Sequence, residues 1–432
     1  MKDSQNKKLM AIEVGTLVVG VDIAKAVQWA RFVDYRGAEL SKALRFNNTI
    51  EGFKSIVAKM ENIRKTCSLT EIIVGMEPTG NYWKPLANFL IANDVEVVTV
   101  GTFQTKMAKS LDDNSPTKSD LKDALTIAKL VKDGRYSEVY MPEDIFAELR
   151  ILGSLRGQTN DKLYAAKNRI HNVIVEYFPE FTSVFKNPFK GKASMRILKS
   201  CPFPAQITTL GVDGVLAEIK KAVKKTVGRK KAEQIVKVAK HSVGVTYGMD
   251  AAKMKLSMHI AEFELLQSQL LEIEVAMGKA LIDTGYSEIV LGIKGIGVVS
   301  AANIMGEVGD FKRFENERQI HRLAGYNLTE NSSGNSKSKT RISKRGRKRL
   351  RSVLFQSAMV MVTKNEEMKS LYQHLKNRKN NPLKSKQALV VVAKKIITNI
   401  YKLITKEMEY DAKLVFNNYR NSQIEATLNQ AA

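Results

Sequence analysis

The feature that most restricts the fold is a pair of long sequence segments in which mostly apolar residues recur with helical spacing. In each segment these residues recur at alternating steps of four and three, which is typical of helices packed along a common seam. The first set is Ile145, Leu149, Leu152, Arg156, Thr159, Leu163, Ala166, Ile170, Val173 and Tyr177; the second is Leu256, His259, Phe263, Leu266, Leu270, Ile273 and Met277. They predict a coiled-coil arm over residues 143–290, antiparallel within one chain or across a dimer. The proline corners and basic stretches of residues 181–248 predict a small helical insert.

Upstream of the arm the pattern changes to short apolar runs, which predict strands. Runs at 17–22, 27–33 and 38–46 indicate an antiparallel meander, and runs at 71–77 and 95–100 alternate with helical spacing at 49–65 and 82–93. Two of the runs end on an acid, Asp22 and Glu77. Ligands of α/β sheets bind beyond strand ends, so we expect these two acids to face a site.

A third acidic element follows, in which Asp120 and Asp123 open an apolar-periodic helix. Their spacing of three places both carboxylates on one helix face. Alone, such a pair is most simply a solvated surface feature. Together with Asp22 and Glu77 it forms a set of hard oxygen ligands suited to Mg²⁺ or Mn²⁺.

The composition restricts the partners and the compartment. The net charge of +25 over 432 residues predicts a polyanionic partner, most simply nucleic acid. With only Cys67 and Cys201, and with five scattered histidines, no disulfide framework or cysteine or histidine metal cluster is expected. Neither a signal-peptide pattern nor an 18-residue apolar window is found, so we expect a cytoplasmic protein with no membrane partner.

The last third of the chain contains two candidate nucleic-acid elements. Residues 291–301 resemble a helix-hairpin-helix motif, in which Lys294, Gly295 and Gly297 would let backbone amides approach a phosphate. Residues 291–432 hold 27 basic and 11 acidic side chains. Nine of the basic ones fall in the acid-free run 337–351: Lys337, Lys339, Arg341, Lys344, Arg345, Arg347, Lys348, Arg349 and Arg351. A tight structural turn and a solvated charge run are the simpler alternatives.

Several motifs together resemble one known family. Val-Gly-Val-Asp22, Gly-Met-Glu77-Pro-Thr-Gly and Ser-Asp120-Leu-Lys-Asp123 are similar to the RuvC-like (RNase H-like) DEDD domain of certain insertion-sequence transposases. Ala324-Gly325-Tyr326, the pair Ser333-Gly334 and the segment Arg341–Arg351 are similar, in order, to the serine transposase domain of the same family, the bridge-RNA-guided recombinases. Where the family usually has Gly-Leu-Ala-Pro, this chain has Gly325-Tyr-Asn-Leu328.

The resemblance implies a fold and a chemistry. It implies an RNase H-like α/β domain at 1–142, the arm at 143–290 and an all-α serine domain with the helix-hairpin-helix at 291–432. The acids Asp22, Glu77, Asp120 and Asp123 would bind Mg²⁺, and Ser333 (or its neighbour Ser332) would be the nucleophile. The implied activity is DNA transposition through a serine–DNA link, directed by a structured guide RNA and performed by a dimer or tetramer.

Two other classes of function fit parts of the same pattern. A metal-dependent nuclease resembling a Holliday-junction resolvase would use the four acids with water as the nucleophile and would need no serine. A non-catalytic nucleic-acid-binding protein would use only the basic surface. The Ser333 segment distinguishes the recombinase from both.

Overall fold

The computed structural model describes residues 2–112, 120–142, 144–223, 228–329, 332–333, 336–337 and 340–429. The chain divides into two compact units, Met1–Met141 and Pro142–Ala432. The first is an α/β unit and the second is mostly helical. No helix in the described ranges is both long and apolar enough to cross a membrane.

The N-terminal unit is built on a six-stranded mixed sheet with the strand order β3-β2-β1-β4-β5-β6. β1 pairs antiparallel with β2 and parallel with β4, and β4 pairs parallel with β5. The strands are β1 Thr16–Asp22, β2 Val27–Val33, β3 Leu44–Asn47, β4 Glu71–Met76, β5 Glu96–Thr99 and β6 Ser137–Glu138. The helices are α1 Lys2–Met10, α2 Ile50–Thr66, α3 Trp83–Ile91, α4 Thr102–Asp112 and α5 Asp120–Lys132.

Helices cover both faces of this sheet. α2 and α3 bury Ile56, Met60 and Leu90 against one face, together with Leu17 and Val19 of β1. α5 buries Ile127 and Val131 against the other face, where the core also holds Val18, Ile73 and Val98. Because both faces are covered, β1 is a nearly continuous apolar run rather than an alternating one.

Two glycines let α5 lie unusually close to the sheet. A Cβ atom on Gly20 of β1 would be 2.1 Å from the Ala124 carbonyl oxygen and 2.4 Å from the Ala128 amide nitrogen. A Cβ on Gly75 of β4 would be 2.3 Å from a methyl group of Val131. Only glycine therefore permits this helix–sheet distance.

The predicted elements of this unit are found, with one clear difference. The expected strand at 38–46 is too long, because the strand is only Leu44–Asn47. Upstream of it, the pairing with β2 is reduced to a single bridge between Val33 and Glu39. The Asp34 side chain accepts hydrogen bonds from the amides of Arg36 and Ala38, which makes a tight turn but leaves the following residues outside the ladder.

In the second unit the two predicted long helices pack on each other within the chain. They are α6 Asp144–Tyr177 and α11 Met249–Asp283. Arg156 pairs with Glu274 at 2.7 Å and Arg169 pairs with Glu262 at 2.6 Å. Since the numbering rises along α6 while it falls along α11, the two helices are antiparallel.

The seam of α11 differs from the prediction at one position. His259 is only half-buried, whereas Ile260 is 2% exposed and lies in the core with Leu256 and Phe263. Either residue satisfies the heptad spacing, and the apolar one is selected because burial of an imidazole removes its hydration. Burial also lowers the pKa of His259, and the positive charge of Arg169 acts in the same direction.

The remaining elements belong to two cores of the helical unit. The insert and the far end of the arm share one core, with helices α7 Phe181–Val184, α8 Lys192–Ser200, α9 Pro204–Ala222 and α10 Arg229–Ala239. The C-terminal helices form the other core. They are α12 Ser287–Leu291, α13 Val298–Val308, α14 Glu317–Leu323, α15 Lys348–Lys364, α16 Glu366–Asn377, α17 Ser385–Lys406 and α18 Asn418–Asn429. Short strand pairs lie between α14 and α15: β7 Leu328–Thr329 with β10 Arg341–Ile342, and β8 Ser332–Ser333 with β9 Ser336–Lys337.

We expect Gly20→Ala to destabilise the N-terminal unit by about 3 kcal/mol, because the added methyl group overlaps the backbone of α5. The measurement is urea unfolding followed by tryptophan fluorescence, since both tryptophans, Trp29 and Trp83, lie in this unit. Gly101→Ala is the matched control, because its Cβ would meet only the flexible end of Gln104, at 3.3 Å. Equal unfolding midpoints for the two variants would contradict the close approach of α5.

Candidate active site

Two of the predicted acids follow neighbouring parallel strands at the same edge of the sheet. The register of β1 and β4 ends with Val21 opposite Met76, and Asp22 and Glu77 are the next residues of the two chain segments. Neighbouring strands lie about 4.8 Å apart. The backbone therefore brings Asp22 and Glu77 side by side, and both are half-buried.

The strand periodicity directs both acids to the face covered by α5. Gly20 and Gly75 contact α5, and side chains on a strand alternate between faces. Asp22 and Glu77 each lie two residues beyond one of these glycines, so the alternation places them on the same face. The Thr79 hydroxyl donates a hydrogen bond to Glu77 Oε1 at 2.9 Å, which helps to hold this carboxylate at the strand end.

The first turn of α5, the helix that covers this face, contains the other two predicted acids. Asp123 is 7% exposed and directly precedes Ala124, whose carbonyl group lies against Gly20. Its Oδ2 atom is 2.6 Å from the ammonium group of Lys109 on α4. Asp120 begins α5, as predicted, but its side chain lies outside the described part of the structure.

These carboxylates fit a hard divalent cation in their chemistry. Oxygen-only ligands from separate elements are what Mg²⁺ and Mn²⁺ prefer. Among the described side chains, however, no three acids, histidines or cysteines are arranged as a ready-made metal site. The cation beside Asp123 is the ammonium group of Lys109, which is the kind of contact that a metal ion would replace.

The segment with the predicted nucleophile contains a small β-hairpin. Ser332 pairs with Lys337 and Ser333 pairs with Ser336, so two residues separate the paired strands. The side chains of Ser332, Ser333 and Lys337 lie outside the described residues, as does all of Lys339. Composition alone predicts a flexible loop here, and the backbone pairing of Ser333 is the finding that composition did not indicate.

The loop entry that departs from the family pattern is anchored in the core. Gly325 has φ +73°, and Tyr326 is fully buried. The Tyr326 hydroxyl donates to the Arg351 carbonyl oxygen at 3.1 Å, and the Arg351 guanidinium donates to the Ala324 carbonyl oxygen at 2.9 Å. Burial raises the pKa of Tyr326 well above its ordinary value. The tyrosine therefore joins the start of the serine segment to α15.

The basic run divides into an outward and an inward group. Arg341, Lys344, Arg345 and Lys348 are exposed. Arg347, Arg349 and Arg351 are half-buried: the first two lie 3.5 and 3.3 Å from the carboxylate of Glu307, and Arg349 also donates to the Ser154 hydroxyl. The sequence-based prediction assigned all of them to nucleic acid, whereas the structure gives these three intramolecular contacts.

The glycine turn at 292–297 joins two helices, α12 and α13. Gly295 has φ +102°, and a Cβ there would lie 2.9 Å from Met361 Cγ. Gly297 is the N-cap of α13 and faces open space, while Lys294 is exposed. The start of α13 is therefore exposed, and its role as a helix-hairpin-helix motif stays a prediction.

Sequence reasoning missed two residues that organise these sites. Lys109 lies in a stretch with no distinguishing pattern, so nothing in the sequence indicates its contact with Asp123. Glu307 gives a weak signal, because it is a single acid inside the apolar helix α13. Its burial at 7% exposure, between two arginines, is a tertiary property that spacing does not reveal.

Comparison with known proteins connects both regions to one group. Residues 19–179 match a DEDD transposase family model described as "Transposase", and residues 287–373 match one described as "Transposase IS116/IS110/IS902 family". A Streptomyces coelicolor mini-circle protein named as a transposase for IS117 is 21% identical over 318 residues, covering 72% of this chain and 76% of its own length. The 43.6 kDa protein of insertion element IS110 from the same organism is 20% identical over 299 residues, covering 69% and 73%.

The first matched region contains the strand-end acids and continues through α6, and the second contains the basic segment within the C-terminal helices. The chain belongs to the IS110 family of transposases. Its activity is in DNA transposition and recombination.

We expect the two groups of basic residues to respond differently to substitution. Replacing Arg341, Lys344 and Lys348 by Gln should lower the slope of log K against log[salt] for duplex DNA by about three, with little change in melting temperature. Replacing Arg347 and Arg349 by Gln should lower the melting temperature, because buried Glu307 loses both cationic partners. Fluorescence anisotropy over a salt series and thermal circular dichroism measure the two effects. Equal salt slopes and equal melting temperatures for the two variants would contradict the division of the basic run into an outward and an inward group.

Proposed function

We propose that the chain is a metal-dependent DNA recombinase that cuts and rejoins strands through a serine–DNA link. The observation that supports the metal-dependent part is the placement of Asp22 and Glu77 at one edge of the sheet, on the face that α5 covers. The first turn of α5 contains Asp120 and Asp123. Asp120 lies three residues before Asp123 on that helix, so the two can share one face. Asp22, Glu77, Asp120 and Asp123 are the proposed metal ligands.

The proposed metal is Mg²⁺ or Mn²⁺, and when bound it would supply the positive charge that polarises the scissile phosphate. The role of Lys109 follows from its contact with Asp123. It compensates the charge of a largely buried carboxylate when no metal is present, because an unpaired buried charge is costly. Its ammonium group has to leave Asp123 when that carboxylate binds the metal.

The proposed nucleophile is the Ser333 hydroxyl, with Ser332 as the neighbouring alternative. The serine oxygen forms a bond to phosphorus while the bond from phosphorus to one sugar oxygen breaks. The leaving sugar oxygen takes up the proton that the serine hydroxyl loses and so becomes a hydroxyl group on the DNA. The phosphodiester energy is retained in the protein link, so a hydroxyl of a second strand can later displace the serine. Attack by water would release that energy and leave cut DNA, as in a resolvase-like nuclease.

The positive end of α15 supports phosphate binding near this segment. The first turn of α15 contains Lys348, Arg349 and Arg351 and no acidic residue. Basic side chains at a helix N-terminus are unfavourable because the helix dipole is positive there. A phosphate group relieves this repulsion, and the neighbouring hairpin places Ser333 in the same segment of chain.

An exposed apolar line on α11 supports the proposed assembly into dimers or tetramers. Met254, Met258, Leu265, Leu271, Val275 and Ile282 are each more than half exposed, and most steps between them are four or seven residues. This line is distinct from the buried seam that contacts α6. A second copy of the arm is the proposed partner, since a heptad-like apolar line is what another helix recognises.

The remaining partners follow from the family and the charge. DNA is the substrate, and we propose that a structured guide RNA encoded by the mobile element directs the choice of DNA. The net charge of +25 is compatible with binding both polyanions. The proposed location is the cytoplasm, at the nucleoid during reaction.

Replacing Asp120 by Asn should abolish strand cleavage, since it removes a ligand charge while keeping the shape of the side chain. Cleavage by the wild-type protein should also stop in EDTA and return when excess Mg²⁺ is added. The assay is strand cleavage on a substrate that contains the element's ends. Asp133→Asn serves as the control and should cleave normally, because this acid lies just beyond α5 and its 46% exposed side chain pairs with Lys132. Full cleavage by Asp120→Asn would remove the four-acid hypothesis.

The serine prediction is tested by trapping a covalent complex. Three samples are compared: the wild-type protein, Ser333→Ala alone, and a mixture of the single variants Ser333→Ala and Asp120→Asn. Each is denatured after reaction with labelled DNA, and the label that stays on the protein is measured. Wild type should retain DNA, and Ser333→Ala alone should not. Mixing Ser333→Ala with Asp120→Asn should restore part of the activity, because a mixed assembly can contain one intact site built from two subunits. Cleavage without any retained DNA would instead indicate a resolvase-like nuclease.

A further inference from the structure

The C-terminal helices border a cavity that is open to solvent and that none of the proposed catalytic residues lines. Its volume is about 870 Å³, within the range of sites that hold small organic ligands. The walls are formed by α16, by one face of α17, by the short turn at Ala412–Leu414 and by the start of α18. The cavity lies mainly beyond residue 373, where the second family match ends.

The charged groups of this cavity are all cationic. Lys395, Lys402, Lys413 and Arg420 line it, and no acidic residue does. Within the described ranges, none of the four forms an ion pair with a carboxylate, although four other lysines and arginines of the C-terminal helical region do. Four positive groups around one cavity repel each other, and an anion of more than one charge would offset that repulsion.

Lys395 is the cation that most requires a partner. It is half-buried on α17, and its pKa is lowered to about 8. Burial is the largest cause of this lower pKa, the positive charges of Lys402 and Arg420 act in the same direction, and Glu317 acts in the opposite direction and more weakly. An ammonium group held in this way gains more from a bound phosphate than a solvated surface lysine does.

The cavity also has an aromatic and apolar side. The Lys395 ammonium lies 5.1 Å from the centre of the Phe416 ring, and Tyr419 at the start of α18 is 71% exposed. Leu371 and Leu414 complete the apolar lining. Aromatic rings next to cations are the combination that recognises nucleotides, because the ring stacks on the base while the cation contacts the phosphate.

We propose that this cavity binds an unpaired nucleotide of a nucleic-acid strand, with the base against Phe416 and Tyr419 and the phosphates on Lys395, Lys402, Lys413 and Arg420. A free inorganic phosphate would leave most of the volume and the aromatic side unused. A paired base in a duplex is stacked between its neighbours and cannot present its face to an aromatic ring. This site rests on the proposed function only in requiring that the chain act on nucleic acid.

The test uses photo-crosslinking with the full-length protein. The probes are oligothymidine and oligouridine of about eight nucleotides, each with one 5-iodouracil base, in the presence of excess unlabelled duplex that occupies the exposed basic run. After irradiation and digestion, mass spectrometry should find adducts on Phe416 or Tyr419 with at least one of the two probes. The probe that gives more adduct identifies whether the strand is DNA or RNA. Adducts found only elsewhere on the chain would overturn the proposal.

The variants make the result specific to the cavity. Lys395→Met with Lys402→Met should weaken binding of the better probe about tenfold and lower its salt slope by about two, and Tyr419→Leu should reduce the adduct yield. Lys386→Met is the matched control: it is exposed on the same helix, nine residues or two and a half turns from Lys395, and therefore on the opposite side. Equal affinity of the double variant and the control would overturn the proposal. Repeating the crosslinking with Ser333→Ala separates nucleotide binding in the cavity from the proposed serine–DNA link. This variant should lose the covalent link to DNA but should bind the probe in the cavity as well as the wild type does.

Discussion

The contact between α5 and the central strand is the constraint on which the candidate active site depends. Gly20 lets the backbone of α5 touch the sheet, and this fixes the depth of Asp123 relative to the strand end that holds Asp22. A side chain at position 20 would push the first turn of α5 outward. Asp123 would then lie further from the strand ends that hold Asp22 and Glu77, although every one of these acids would still be present in the sequence.

Much of the α/β unit could be predicted because local periodicity and turn chemistry agree there. The apolar runs end on Asp22 and Glu77, and the structure places both at the same edge of neighbouring parallel strands. The start of α5 at Asp120 was also recognisable, since an apolar helical period begins there. The length of β3 could not be predicted. The first half of the strand expected at 38–46 lies outside the ladder with β2, because the turn at Asp34 forms only in the folded chain.

The features that could not be predicted depend on contacts between residues far apart in sequence. A run of nine basic residues has no period that separates outward from inward side chains, so the partners of Arg347 and Arg349 became visible only when Glu307 was placed beside them. The same limit applies to Lys109 and to the cavity lined by Lys395. The seam of α11 illustrates a milder case, since His259 and Ile260 both satisfy the spacing and only packing selects between them.

The continuity of α6 has a mechanical consequence. This single helix of 34 residues, about 50 Å long, places Leu149 in the core of the C-terminal helices and Leu163 and Tyr177 in the core around the insert. Together with α11, which also contributes residues to both cores, it forms a rigid connection between them. A rotation of the insert, for example on binding of a macromolecule, would therefore move Ser154 of α6. Ser154 is hydrogen-bonded to Arg349 in the first turn of α15, the helix that follows the serine hairpin.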